Sequence, residues 1–368
     1  MARAIFAGLD TGVETTSLCV IDSDGQVMQQ GCCRSDPRAI HDQLRWMRRR
    51  RLATVSMEAG GTAIARGLRS LGYKVDIYET RQLSKFLKVR RNKTDPNDAR
   101  GIAEAARLGR RTLSRVHLKS LECQALQSLL VFRRRVIKQR IAAVNLLCRQ
   151  LELYGGRVNR SEAVKHLTAR ARAEIGKIFG RKRTTLVEEL HRLVLTCERL
   201  RSEQDYFDAV LREEAATNEV CQRLMTVPGV GPVCAVNFYA VIDDPERFPC
   251  TRKVGSYFGL APRLHESGLT LRRARISKMG NRAARAILVQ AAICFMKSKH
   301  RDDQLYDWAL RIEQRSGKLP SRVALARKLA TIMLAIWKSG EAYRPMSLPS
   351  GAMPIDQGAT CNLDVEEV

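Results

Sequence analysis

The chain has 368 residues, 45% of them hydrophobic, and a net charge of +26 at pH 7. That length supplies core for two or three domains, and the apolar content excludes a wholly disordered polycation. So large a positive excess calls for a polyanionic partner, which points to nucleic acid; an anionic membrane is the weaker candidate, because no apolar run reaches the roughly 20 residues of a span and the run 323–337 is broken by Arg327 and Lys328.

Residues 4–9 read as a buried strand, too short for a secretory signal and closed by Asp10. Residues 17–22 and 26–31 read as strands around Asp24-Gly25, a strong hairpin signal. A helix over 39–50, a short buried strand over 53–57, a helix over 62–71 and a strand over 74–78 follow. This order suits a mixed sheet with helices on its faces. Lys and Arg then crowd residues 80–119, against Asp95, Asp98 and Glu104.

Long helical signals come next. Ala125, Leu129, Phe132, Val136, Ala143 and Leu146 keep a four-three spacing. Past the Gly155-Gly156 break, Leu186, Leu190, Leu193, Cys197, Leu200, Phe207 and Leu211 do the same. The pattern predicts a coiled coil or antiparallel helical hairpin, with ordinary amphipathic bundle helices as the plainer alternative. A mostly α-helical domain is expected from about Val220 to Gly340, which follows Lys338 as a helix C-cap should. Residues 342–368, with Pro345, Pro349 and Pro354, are expected to be a disordered tail. The expected domains are therefore 1–112, 113–217 and 218–341, followed by that tail. The eleven cysteines form no Cys-x-x-Cys pair, so mostly buried free thiols in a reducing cytoplasm are expected.

Four carboxylates stand out. Asp10 closes the first strand in Gly8-Leu9-Asp10-Thr11-Gly12, and Glu58 closes a later one in Ser56-Met57-Glu58-Ala59-Gly60-Gly61. A carboxylate at the end of an apolar strand is costly without a partner. Asp95 and Asp98 flank Pro96 at a candidate helix start, with Asp95 read as the N-cap and Pro96 as the first helical residue. If the strands are neighbours, all four acids meet at one edge of the sheet, where four oxygen donors suit one or two Mg²⁺ ions. The plainer reading makes Asp95 and Asp98 a helix cap with favourable dipole charge, and Asp10 a turn residue.

In the second half, Val227-Pro228-Gly229-Val230-Gly231 followed by Ala235 matches a helix-hairpin-helix pattern, in which the Gly229–Gly231 turn presents backbone N–H groups to a phosphate. A plain interhelical turn is the alternative. Residues 252–285 are strongly basic, with Glu266 the one acid. They contain Pro262-Arg263-Leu264-His265-Glu266-Ser267-Gly268 and Ser277-Lys278-Met279-Gly280-Asn281-Arg282. By residue type alone Ser267 is an ordinary loop serine, while Arg263, Lys278, Asn281 and Arg282 are candidate phosphate contacts.

The acid motifs, with Arg91-Asn92-Lys93-Thr94-Asp95-Pro96-Asn97-Asp98-Ala99-Arg100, resemble those of the DEDD transposases of insertion-sequence family one-ten, which are related to Piv-type DNA invertases. The resemblance implies an RNase H-like, RuvC-like N-terminal domain with Asp10, Glu58, Asp95 and Asp98 as metal-binding acids. The Pro-Arg-x-x-x-Ser-Gly and Ser-Lys-x-Gly segments are similar to the family's C-terminal transposase domain. Its nucleophilic serine, which becomes covalently joined to DNA, maps onto Ser267, with Ser256 and Ser277 as alternatives. The resemblance further implies a bacterial, DNA-associated protein, a homodimer or homotetramer in which serine and acids meet across protomers, and a structured bridge RNA as guide. Residues 157–183 depart from the family pattern as extra length. The rivals are a metal-dependent junction resolvase using water and a non-catalytic nucleic-acid scaffold.

Overall fold

The computed structural model describes residues 4–48, 52–88, 94–108, 113–180, 184–267, 270–298 and 303–345. The chain divides at Lys119/Ser120 into two compact units.

The first unit holds β1 (Ile5–Thr11), β2 (Thr15–Ile21), β3 (Val27–Arg34), α1 (Pro37–Arg48), β4 (Leu52–Glu58), α2 (Thr62–Ser70), β5 (Val75–Tyr78), α3 (Thr80–Leu87) and α4 (Asp95–Leu108). The strands form one mixed sheet in the order β3-β2-β1-β4-β5. The β1–β2 and β2–β3 pairs are antiparallel, and β1–β4 and β4–β5 are parallel. The strands and helices expected up to Tyr78 are all present, their described ends within three residues of those expected, and the expected end of the 39–50 helix lies outside the described residues.

Apolar alternation decides which face of the sheet each helix covers. Ile5, Ala7, Leu9, Val55, Met57 and Ile77 point to one face and pack with Ile40, Leu44, Ile64 and Leu68 of α1 and α2. Phe6, Cys19 and Ile21 point to the other face and pack with Ala99, Ile102, Ala103 and Ala106 of α4. Small residues let α4 lie very close to β1. A Cβ added to Gly8 would stand 2.2 Å from the Ala99 carbonyl oxygen and 2.3 Å from the Ala103 nitrogen.

The second unit begins with α5 (Leu121–Leu153), α6 (Val164–Phe179) and α7 (Thr185–Thr217). The α5 and α7 helices pack side by side as a hairpin, and α6 packs against both. The seam differs from the expected one on α5. Val136 and Ala143 are buried there, but the rest of the α5 core is Cys123, Leu126, Leu130, Val144, Leu147, Cys148 and Leu151. Phe132 and Leu146 are about half exposed instead. The four-three register follows the α5–α7 contact alone, whereas α5 also buries Val144, Leu147 and Leu151 in the cluster that includes Leu167, Ala171 and Ile175 of α6. Residues 157–183, the departure from the family pattern, include the whole of α6, and 181–183 lie outside the described residues. On α7 the expected Leu190, Cys197, Leu200 and Leu211 are buried.

The remainder comprises α8 (Glu219–Met225), α9 (Pro232–Ile242), a short 3₁₀ turn at Pro245–Arg247, α10 (Lys253–Tyr257), β6 (Pro262–Ser267), β7 (Thr270–Ile276), α11 (Arg282–Lys297), α12 (Gln304–Ser316) and α13 (Lys318–Ser339). Its core runs from Leu224 and Phe238 through Phe258 and Phe295 to Leu329 and Met333, and it also takes in Leu126, Leu130, Leu211 and Ala215. The base of the α5–α7 hairpin is thus part of this core. Asp243 ties the two regions together. Its carboxylate accepts from the Ser120 N–H at 3.1 Å and from the Ser120 hydroxyl at 2.5 Å.

Gly340 is the left-handed C-cap of α13, with φ +73°, and its N–H donates to the Ile336 carbonyl at 3.0 Å. The expected tail boundary at 342 needs correcting. The Tyr343 N–H donates to the Thr226 hydroxyl at 2.8 Å, and the Tyr343 hydroxyl bonds to Asp303, so residues through 345 belong to the folded unit. The remaining tail, 346–368, lies outside the described residues. No helix among the described residues is long and apolar enough to cross a membrane.

Candidate active site

The β1–β4 register ends with the pair Leu9 and Met57, both facing α1 and α2. Asp10 and Glu58 are each the next residue along. Strand alternation turns both towards the face that α4 covers, at the carboxyl end of two adjacent parallel strands. Both are half-buried. Gly61 holds the β4–α2 connection against the end of β1, since a Cβ there would stand 2.9 Å from the Thr11 hydroxyl oxygen. Glu58's own carbonyl accepts the Gly60 N–H at 2.8 Å, which closes a tight turn directly after it.

The α4 helix runs antiparallel to β1. Its C-terminal half reaches the β2–β3 turn, where a Cβ on Gly25 would stand 3.0 Å from the Glu104 carboxylate. Its first turn, with Asp95 and Asp98, therefore lies towards the carboxyl end of β1. The expected cap needs correction. The Asp98 N–H donates to the Thr94 carbonyl at 2.9 Å, so helical bonding starts one residue earlier and Asp95, not Pro96, is the first helical residue. Asp95 and Asp98 remain one turn apart on the same side of α4. Arg91, Asn92 and Lys93 of the same motif lie outside the described residues.

Carboxylates are the hard oxygen ligands that suit a small divalent cation. Among the described residues, no three His, Cys, Asp or Glu side chains are already gathered closely enough to hold one. Sequence reasoning passed over another acid at this edge. Glu79 follows Tyr78, the β5 partner of Glu58, but its carboxylate accepts the Gln82 N–H at 2.9 Å and so caps α3.

In the second unit, β6 and β7 form a hairpin in which Ser267 pairs with Thr270. Ser267 is thus the last residue of β6, at the tip of a two-stranded ribbon that the sequence did not announce. Gly268, its neighbour in the motif, lies outside the described residues. Ser256 lies in α10 and is exposed. Ser277 follows β7, and its N–H donates to the Ala261 carbonyl at 2.8 Å. The ribbon is clamped at its root. The Arg263 guanidinium donates to the Ser277 carbonyl at 3.0 Å, the Lys278 N–H donates to the Gly259 carbonyl at 3.1 Å, and the Arg285 guanidinium donates to the Phe258 carbonyl at 3.0 Å. Lys278 adopts φ +56°, a left-handed conformation rare for a side-chain-bearing residue. Arg285's pKa is lowered by burial and by the nearby Arg282 charge.

The candidate phosphate contacts divide. Asn281 is the N-cap of α11, its side-chain oxygen accepting the Ala283 and Ala284 N–H groups at 2.9 and 3.1 Å. Asn281 and Arg282 also line a cleft of about 390 Å³ with Arg133, Arg134 and Lys138 of α5. No sequence motif marked that α5 contribution. Arg133 is held there by Asp208 at 2.5 Å. The Gly229–Gly231 turn joins α8 to α9. Gly229, at φ +79°, packs so tightly on α11 that a Cβ would stand 2.5 Å from the Ala291 oxygen, so its glycine serves helix packing. Gly231 is exposed at the start of α9.

Comparison with known proteins gives two family matches along the chain. Residues 7–155 match the DEDD transposase domain of the IS110 type, and residues 221–307 match the domain described as transposase IS116/IS110/IS902 family. The transposase for insertion sequence element IS1111A of Coxiella burnetii is 32% identical over 92% of this chain and 90% of its own length. A probable family 20 transposase of Pseudomonas aeruginosa is 31% identical over 79% of this chain and 86% of its own length. A pilin gene-inverting protein of Moraxella lacunata is 30% identical over 33% of this chain and 37% of its own length. The DEDD domain implies dependence on a divalent metal. A charge of +26, acids converging on one sheet edge, and likeness along almost the whole chain all lead to one assignment: the chain belongs to the IS116/IS110/IS902 family of transposases, enzymes that cut and rejoin DNA.

Proposed function

We propose that this transposase cuts and rejoins DNA through a covalent serine–DNA intermediate on Ser267, with Asp10, Glu58, Asp95 and Asp98 holding Mg²⁺ and a structured bridge RNA choosing the sites. The observation that carries the metal-binding part is the convergence of Asp10 and Glu58 at the carboxyl end of adjacent parallel strands, on the face crossed by α4. The strand order β3-β2-β1-β4-β5, antiparallel at β2, supports an RNase H-like, RuvC-like reading of the first unit. Bound there, Mg²⁺ would neutralise charge on the reacting phosphate and lower the cost of removing a proton from the attacking oxygen.

The ribbon tip supports the serine assignment, because a residue at the end of β6 can be presented to a duplex without unfolding its neighbours. In the reaction, the Ser267 Oγ attacks phosphorus and forms an Oγ–P ester. The bond from phosphorus to one deoxyribose oxygen breaks. The proton that leaves the hydroxyl ends on that departing oxygen. The phosphodiester count is unchanged, so a second DNA hydroxyl can reverse the step on a new strand without an external energy source. Arg263, Lys278, Arg282 and the Gly231 N–H are the phosphate contacts of this reading. The α5–α7 hairpin pairs protomers into a dimer or tetramer, and RNA pairing supplies sequence choice by the logic of other guided systems.

The test is to mix the protein with its element's end DNA, the adjacent non-coding RNA and Mg²⁺ and to separate the products under denaturing conditions. A protein–DNA adduct that disappears in Ser267→Ala and in Asp10→Ala supports the reading. Cleavage without an adduct, indifferent to Ser267→Ala, leaves the water-using nuclease instead.

A further inference from the structure

Within the second unit, a pocket of about 410 Å³ opens between α12, α13 and the start of α10. Its wall on α13 is one helical stripe that includes Arg327, Lys328 and Thr331. Arg252, Ser256 and, on α12, Trp308 also line the pocket. No acid lines it, and among the described residues no ion pair engages Arg252, Arg327 or Lys328. Three cations without counter-charges repel one another, and an anion relieves that repulsion. The stem of Arg327 is fixed by packing. A Cβ on Gly255 would stand 2.7 Å from the Arg327 Cγ, so the α10 backbone lies close against that stem.

Phosphate alone would engage the cations but not the half-buried indole of Trp308, which packs against the core and also lines the pocket. An aromatic ring beside a basic cluster is the arrangement that binds single-stranded nucleic acid, with the base on the ring and the backbone on the cations. The volume falls within the roughly 300–1,000 Å³ of small-ligand pockets, large enough for one nucleotide and too narrow for a duplex. Ala261, which also lines the pocket, directly precedes the β6–β7 ribbon.

We infer that this pocket takes one unpaired nucleotide of a DNA or RNA strand, its phosphate among Arg252, Arg327 and Lys328 and its base against Trp308. A strand so held would be anchored at the root of the ribbon that carries Ser267. This rests on the nucleic-acid-binding part of the function proposed above, and not on Ser267 acting as nucleophile.

The test uses the full chain and fluorescence anisotropy with labelled oligothymidylate, oligouridylate and a short blunt duplex. Trp308→Leu, which keeps apolar packing, is expected to weaken single-strand binding about tenfold and to leave duplex binding unchanged. The double variant Arg327→Ser with Lys328→Ser alters exposed side chains only. It is expected to weaken single-strand binding and to flatten its dependence on log salt by about 1 to 2 units. Binding is measured without Mg²⁺ and without strand cleavage, which separates this site from the covalent chemistry. Tighter binding of one oligomer identifies the strand as DNA or RNA and upholds the pocket either way. If neither variant changes single-strand binding, if duplex binding falls equally, or if inorganic phosphate competes as well as a mononucleotide, the assignment is wrong.

Discussion

At the residue scale, substitutions of the acids and of Gly8 are expected to act differently on the fold. Glu58 and Asp98 are half-buried or better exposed and lie on element ends. Glu58→Gln and Asp98→Asn are expected to leave the melting temperature within a few degrees while abolishing strand cleavage. Gly8 is different, because a methyl group there collides with the α4 backbone. Gly8→Ala is expected to cost about 1–3 kcal/mol in denaturant unfolding and to lose activity although every acid is intact. If a divalent ion binds the four acids, it stabilises the folded chain by linkage. Mg²⁺ is then expected to raise the melting temperature, and Asp10→Asn to remove that increment. An equal increment in Asp10→Asn would place the ion elsewhere. Asp10 and Glu58 stood out because each ends an apolar strand run, and Asp95 and Asp98 because they flank Pro96 at a helix start. The close approach of Gly8 to Ala99 and Ala103 did not, since no spacing rule reports a contact between residues so far apart in sequence.

At the element scale, the alternation of β1 to β5 and the Asp24-Gly25 turn revealed the sheet, because a half-buried strand writes its face into its sequence. The α5 seam was misplaced because its second half is covered by α6 as well as α7, and two partners blur a heptad. Leu147→Ala, fully buried, is expected to cost about 2–5 kcal/mol on chemical denaturation, while Leu146→Ala, 49% exposed, costs little. Equal losses would contradict the observed register. The β6–β7 ribbon was missed because its strands, Pro262–Ser267 and Thr270–Ile276, are too polar and basic to alternate. Asn281 was read as a phosphate contact, and its side-chain oxygen turns out to cap α11. Asn281→Ala is expected to cost about 1 kcal/mol of stability, and Asn281→Asp to restore it. Stability unchanged in both, with DNA affinity lost, would make recognition its main role.

At the scale of the whole molecule, charge and burial set how the protein responds to salt and pH. With +26 net charge, affinity for any DNA is expected to fall steeply and log-linearly with salt, as displaced counterions require. Buried thiols run through the core. Burial pushes the Cys197 thiol up to about 11 and those of Cys221 and Cys234 up to about 12. Each folded pKa is raised, so the neutral thiol is the form the fold prefers. Their contribution is complete below the ordinary thiol value of 9.0 and is lost as pH rises from there towards the folded values. Thermal stability is therefore expected to decline above about pH 9, less so in Cys234→Ala, while exposed Cys32 and Cys250 react with thiol reagents in the native state. Composition made the polyanionic partner legible from the first line. It could not say where that partner lies, because Arg133, Arg134 and Lys138 look like any solvated helix face until α11 is set beside them. The most direct measurement of the central claim is the covalent trapping of cleaved end DNA on the full chain with Mg²⁺ and its adjacent RNA. One adduct per cut strand is expected, mapped by peptide mass to Ser267 and absent from both Ser267→Ala and Glu58→Gln. Cleavage that proceeds in Ser267→Ala, with no protein attached to either DNA end, would contradict it.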